Sequence, residues 1–337
     1  MPEATSDVME PTWATADGSV QLYLGDCLDW LRAQPDDSID LVFCSPPYEA
    51  ARTYGIDFNL KGQAFVDWCV ERYRECYRVC RGLVAWVIEG QTRQFQWSAV
   101  PALLMADLHR AGVKLRKPPI FHRVGIPGSG GPDWLRNDYE FIVCASKGKL
   151  PWSDNTAMGH PPKWAPGGEM SYRLSDGSRR NQWGGCGHAL DGSSTERKRD
   201  GSLKVAKRPS HKLTTKTGRL VDKLQTKSDA DGKREQGYTV PTLANPGNVI
   251  KGIVGGGVMG SALAHENEAP FPESLAEFFV RSFCPPRGTV LDCFAGSGTT
   301  LAVVGRLNRH AVGIDIRKSQ IELIKRRLVS VQREFIA

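Results

Sequence analysis

An α/β fold with a mostly parallel sheet is predicted by two observations. Short β-rich runs alternate with helical stretches over residues 18–150 and 270–337, and an apolar strand near the C-terminal end runs through a Gly-x-Gly turn into a helix. The first region places strands at Val20–Leu24, Asp40–Cys44, Leu83–Ile88, Pro119–Val124 and Glu140–Ala145, with helices over Phe65–Arg81 and Val100–Ala111. The second places a helix over Glu273–Phe283, a strand over Thr289–Cys293, a helix over Thr299–Leu307, a strand over Ala311–Ile316 and a closing helix. Residues 151–250 break the pattern, being rich in Gly, Ser, Lys, Arg and Pro, and Gly252–Gly260 reads as a connecting loop. Three regions follow: 18–150, a basic 151–245, and 246–337.

Composition narrows the classes further. The 337 residues are 40% hydrophobic and 24% charged, which is globular and excludes wholesale disorder. The length calls for one large core or two domains. No apolar run is long enough to cross a bilayer, and the polar, acidic opening MPEATSDVMEP is unlike a secretory signal. Nine cysteines without CxxC pairs read as reduced thiols of a cytoplasmic protein. Cys69, Cys76 and Cys80 share a helical face with Phe65 and Tyr73 and read as core, and Cys186, His160, His188 and His211 lack metal-ligand spacing, so no metal is expected.

The net charge of +7 is localised. Residues 151–250 hold 17 basic and 10 acidic groups, so the remaining 27 of each sign cancel. The stretch 196–219 alone carries nine Lys and Arg against two acids, among them Arg197, Lys198, Arg199, Lys204, Lys207 and Arg208. Such a segment suits a polyanion, foremost nucleic acid, or is a solvated insertion.

Two motifs carry chemistry. The first is TVLDCFAGSGTT at 289–300, followed by a helix and AVGIDI. Gly296 and Gly298 let backbone approach a ligand, the helix N-terminus aims its N–H groups at the same place, and Asp315 closes the next strand, positioned to accept from ribose hydroxyls. No Gly-Lys-Ser/Thr follows, so this is not a phosphate loop, and Leu301 stands where a dinucleotide site has its third glycine. The second is DLVFCSPPY at 40–48, a strand that runs into two prolines. The stiff turn can aim the Ser45 hydroxyl and the Pro46 carbonyl at one point, with Tyr48 as a stacking face; two acceptors beside an aromatic suit an exocyclic amino group on a planar base.

Together, SPPY at 45–48 and DCFAGSGTT at 292–300 resemble the S-adenosylmethionine-dependent DNA amino-methyltransferases, and their order around a basic segment resembles the β class. LGDCLDWL at 24–31, RNDYEFIVCASKG at 136–148 and FPESLAEFFVRSFCPPRGTVLD at 271–292 are similar to further segments of that family. The chain departs from it at His265, which Glu follows where the family has Pro, and at FHRVGIP, 121–127, which lacks the aromatic-x-Lys pattern. The resemblance implies a Rossmann-like sheet of seven strands with helices on both faces. It assigns Ser45, Pro46, Pro47 and Tyr48 to catalysis. It assigns Asp26, Phe271, Pro272, Glu273, Asp292, Phe294, Gly296, Gly298, Thr299 and Asp315 to S-adenosyl-L-methionine, with Asp292 facing the ammonium group, Asp315 the ribose, and Phe271 to Glu273 at the entrance. The implied reaction is methylation of a flipped base in double-stranded DNA, at cytosine N4 or, as the alternative, adenine N6, by a monomer or homodimer that a cognate restriction endonuclease can accompany. A nicotinamide-dependent oxidoreductase would explain the glycine loop and Asp315 but would leave Ser45–Tyr48 and the basic insert idle. Cysteine attack at carbon 5 would need a Pro-Cys motif, and the chain has only Cys284–Pro285, in reverse order.

Overall fold

A computed structural model describes residues 9–49, 58–125, 133–160, 172–173, 179–180, 243–254, 260–266 and 270–334. The chain divides into two compact units, one of residues 1–158 and 245–337, the other of 159–244. The basic region is expected to begin at 151. The unit boundary falls later because the segment after Leu150 is bound to the core, Asp154 N–H donating to the Ser282 carbonyl at 2.9 Å.

The first unit is built on one sheet. Its strands are β1 (Trp13–Ala14), β2 (Val20–Leu24), β3 (Ile39–Cys44), β4 (Cys80–Ile88), β5 (Ile120–Val124), β6 (Tyr139–Ala145), β7 (Val249–Ile253), β8 (Thr289–Asp292) and β9 (His310–Asp315). They lie in the order β1-β2-β9-β8-β3-β4-β6-β5-β7, parallel except that β1 and β6 run against their neighbours. The expected seven strands are thus nine, with β1 and β7 added at the edges. Strand β7 runs into the stretch that reads as the loop Gly252–Gly260. Gly252 belongs to the strand because a Cβ there would lie 2.6 Å from the Phe121 ring, so only glycine lets β7 approach β5 at that point.

Helices cover both faces. Alternate residues of β3 and β4 point to opposite sides, as strand pleating dictates. Val42, Cys44, Val84 and Trp86 enter one core with α1 (Cys27–Ala33), α2 (Gly62–Val79) and α3 (Val100–Arg110). Leu41, Phe43, Leu83 and Ala85 enter the other with α4 (Glu273–Phe283), α5 (Thr299–Arg306) and α6 (Lys318–Glu334). Burial on both faces is why β3 reads as a continuous apolar run, each large side chain contributing about 1.5–3 kcal/mol. A row of rings crosses the second core: Phe43 stacks on Phe279 with centroids 4.8 Å apart and meets Phe271 edge-on at 5.4 Å. The carboxyl ends of β2, β9, β8, β3 and β4 lie side by side at one sheet edge, where an α/β fold places its ligands.

In the second unit, Tyr172–Arg173 pairs antiparallel with Arg179–Arg180, and His160 exchanges backbone hydrogen bonds with Ala244 at 3.2 and 2.9 Å. Arg197, Lys198, Arg199, Lys204, Lys207 and Arg208 lie outside the described residues.

Candidate active site

Loops from the aligned strand ends enclose a cavity of about 370 Å3, lined by Asp26, Ser45, Pro46, Pro47, Tyr48, Phe271, Phe294, Gly296, Thr299 and Asp315 among others. These are ten of the fourteen catalytic and cofactor positions singled out in the sequence.

The glycine loop is fastened from beneath. After β8, Asp292 Oδ1 accepts the Phe294 N–H at 3.1 Å and Asp315 Oδ2 accepts the Gly296 N–H at 3.0 Å. Ala295 N–H donates to the Ile314 carbonyl at 2.9 Å, tying the loop to β9. Gly296 and Gly298 take φ of +52° and +75°, the left-handed region that side chains resist. Gly298 caps α5, and a Cβ there would press on Ile324 at 3.0 Å. Asp315 Oδ1 also accepts the Arg317 N–H at 2.9 Å, and burial pushes its carboxyl above the usual range.

Beside it, Asp26 caps α1 by accepting the Leu28 N–H at 2.9 Å, and its other oxygen takes a 2.6 Å bond from Arg72 Nη2. The Arg72 guanidinium lies 4.1 Å from the centroid of the Trp68 ring, and Trp68 in turn leans on Phe294, centroids 5.7 Å apart. The carbonyl of Asp315 accepts the Gly25 N–H at 3.1 Å, joining the two acidic loops.

On the opposite wall, Ser45 Oγ donates to the Val87 carbonyl of β4 at 3.0 Å. Its one proton is thereby engaged, and the oxygen keeps lone pairs for a donor. Tyr48 Oη donates to Glu140 Oε2 at 3.2 Å, and Glu140 pairs with Arg123 at 3.1 Å. Burial raises the Glu140 carboxyl, opposed by the Arg123 charge and the tyrosine hydrogen bond. Cys44, just ahead of the turn, is sealed in the core, and burial pushes its thiol up to about 12, far from a nucleophilic thiolate.

Four expected residues do not line the cavity. Glu273, expected at its entrance, is 8% exposed; it receives Arg327 Nη2 at 2.6 Å and Arg306 Nη1 at 2.5 Å. Two guanidiniums hold it inside the protein, where it anchors the start of α4. Pro272 precedes it as the helix cap. Gly298 shapes the loop from behind. Asp292, expected to face an ammonium group, is buried beneath the loop, and desolvation pushes its carboxyl up to about 7.

Lining residues that the sequence reading left unnoticed include Arg72, Trp68, Phe58, Gly25 and Arg317. Trp68 and Arg72 stand four apart on α2, on the face read as apolar core; an arginine amid that face was the available signal. The assembled cavity offers two carboxylates, aromatic faces and a cluster of acceptors. Its two arginines are occupied by those carboxylates, Arg72 with Asp26 and Arg317 with Asp315. Such a site suits a cationic ligand carrying hydroxyls and a planar ring.

Comparison with known proteins agrees. Residues 39–326 match the model of the N6/N4 DNA methylase family. The chain is 23% identical to the type II methyltransferase M.SfiI of Streptomyces fimbriatus over 88% of each chain. It is 24% identical to the type II methyltransferase M.PvuII of Proteus hauseri over 93% of this chain and 84% of that one. Among solved structures it resembles the PvuII DNA methyltransferase (cytosine-N4-specific), with a TM-score of 0.60 and 17% identity over 95% of this chain and 89% of the other.

Proposed function

The chain belongs to the N6/N4 DNA methylase family and is a site-specific DNA methyltransferase; from that premise we propose that it methylates the exocyclic N4 of a cytosine flipped out of double-stranded DNA. The observation that carries this reading is the bond from Ser45 Oγ to the Val87 carbonyl, which leaves a neutral hydroxyl facing the cavity as an acceptor only. The relative named cytosine-N4-specific supports the same choice of base.

The residues fit the family's methyl donor, S-adenosylmethionine. Asp315 would accept from its ribose hydroxyls, and Asp26 would take the adenine edge. Phe271, Phe294, Gly296 and Thr299 would shape its berth. Bound there, the group supplies an electrophilic sulfonium methyl. Everything else falls to the chain. Ser45 Oγ and the Pro46 carbonyl would accept the two N–H bonds of the target amino group, drawing the nitrogen lone pair out of conjugation with the ring. Pro46 and Pro47 hold those acceptors stiffly, because neither has backbone freedom at φ. Tyr48, anchored through its hydroxyl by Glu140, would stack on the extruded base. Transfer is then a matter of alignment and needs no covalent protein intermediate.

Mass spectrometry of nucleosides from DNA treated with the purified protein tests the target atom. N4-methylcytosine is expected; N6-methyladenine would move the assignment to the other branch of the family, and 5-methylcytosine would overturn the mechanism.

The basic insert would neutralise backbone phosphates through Arg197, Lys198, Arg199, Lys204, Lys207 and Arg208, since the whole net charge lies in that region. Replacing the first three by alanine should flatten the slope of log affinity against log salt by about 0.9 for each phosphate no longer neutralised. An unchanged slope would free this run from the interface. Relatives named type II methyltransferases support a cognate endonuclease as the companion of this activity.

A further inference from the structure

A second cleft, of about 470 Å3, opens at the amino end of β4, against α4 and away from the strand ends that carry the methylation site. That volume falls within the range of roughly 300–1,000 Å3 typical of small-molecule sites. Its floor is apolar: Leu83, Cys144, Ile250 and Phe279 are each less than a tenth exposed. Phe278 and Phe283 add ring surface from the same helix. One floor residue is polar. Ser282 is 2% exposed, and its hydroxyl has no hydrogen-bond partner among the described residues. A buried hydroxyl left in that state is costly unless something else engages it.

The rim carries Arg116, Lys117 and Lys149. Arg116 spends two nitrogens on neutral oxygens, Ser146 Oγ and the Gly148 carbonyl, each at 2.7 Å, so its charge is uncompensated there. The nearest acid in sequence, Asp154, turns its carboxylate to the backbone and hydroxyl of Thr156 at 3.0 and 2.8 Å. The combination is an aromatic-lined floor, one unsatisfied hydroxyl and a cationic rim without an opposing acid.

We propose that this cleft is a second ligand site, for an aromatic anion: a fused or extended ring system bearing a phosphate, carboxylate or sulfonate. The ring lies on the floor against Phe279 and Phe283, Ser282 hydrogen-bonds a polar ring substituent, and the anionic group meets the lysines and Arg116. Nothing in methyl transfer uses these residues, so the site is separable from the activity.

Calorimetric titration of the full-length protein with 1-naphthyl phosphate, in the presence of S-adenosylhomocysteine, tests it. One-to-one binding is expected, at least about tenfold tighter than 2-naphthol, which lacks the charge, or inorganic phosphate, which lacks the ring. Lys117→Ala with Lys149→Ala should weaken it by about fivefold or more, and Ser282→Ala by a smaller factor, with methyl transfer to DNA unchanged in both variants. The proposal fails if the wild-type protein gives no binding heat, if 2-naphthol binds equally well, or if the lysine variant binds like the wild type.

Discussion

The Gly296–Gly298 loop and the Ser45–Tyr48 turn leave adjacent strands, β8 and β3, and they meet in one cavity, yet they are held by opposite means. The glycine loop reaches its shape through positive φ and is fixed by its own backbone donors, which go to Asp292, Ile314 and Asp315. The proline turn has no backbone donors at Pro46 and Pro47 to spend. It is fixed by φ restriction and by two hydroxyls, Ser45 to Val87 and Tyr48 to Glu140. Both routes consume donors within the protein. The side chains at the two loops then offer a ligand acceptor capacity, on carboxylates at one loop and on neutral oxygens at the other. A cation with hydroxyls fits the first, and a neutral amino group fits the second.

Removing the acidic side should have the largest effect. Asp315→Ala takes an acceptor from the ligand and strands the buried Gly296 N–H, each loss costing about 1–3 kcal/mol. The affinity for S-adenosylmethionine should fall by about a hundredfold in calorimetry, and unchanged binding would detach Asp315 from the cofactor.

Removing the neutral side should cost less and touch a different quantity. Ser45→Ala should lower methyl transfer by more than about tenfold, about 1.4 kcal/mol of barrier, while cofactor affinity stays as in the wild type. Loss of both together would merge the two loops into one function and erase the contrast.

A third variant isolates the support beneath the glycine loop, and its readout is stability rather than affinity or rate. The Asp292 carboxyl titrates at about 7 in the folded protein against 3.8 as a free group, so folding favours its protonated form. Its contribution is most favourable below 3.8 and is lost as the pH climbs through 7, by about 3 kcal/mol between pH 5 and pH 8. Asp292→Asn keeps an oxygen for the Phe294 N–H and removes the titration. Its melting temperature should exceed that of the wild type by several degrees more at pH 8 than at pH 5. A gap independent of pH would mean that Asp292 is ionised throughout.

Much of this is legible in the sequence because it is local. Glu273–Phe283 has helical spacing of apolar residues, and β3 is an unbroken apolar run ended by prolines, so their positions need no tertiary information. Helix α1 escapes notice because seven residues give too short a period to read; it is held by the Asp26 cap and by Arg72, 46 residues away. The same long-range pair hides Arg72 from the site reading, since its helix face is otherwise core. Glu273 is misplaced for the converse reason: its partners Arg306 and Arg327 come from α5 and α6, and no local pattern announces them. The end of strand β7 reads as loop because its glycine answers to Phe121 on a neighbouring strand.

Arg327 has a consequence for how the protein is made. This fully buried guanidinium on α6 binds the Ser297 carbonyl at 3.1 Å, Thr299 Oγ1 at 3.0 Å and Glu273 at 2.6 Å. It therefore joins the glycine loop to the first turn of α4. During synthesis the Ser45–Tyr48 turn leaves the ribosome hundreds of residues before that guanidinium does. The cofactor berth cannot lock until α6 has emerged and docked, so an unfinished chain can present half of a methylation site without being able to charge it.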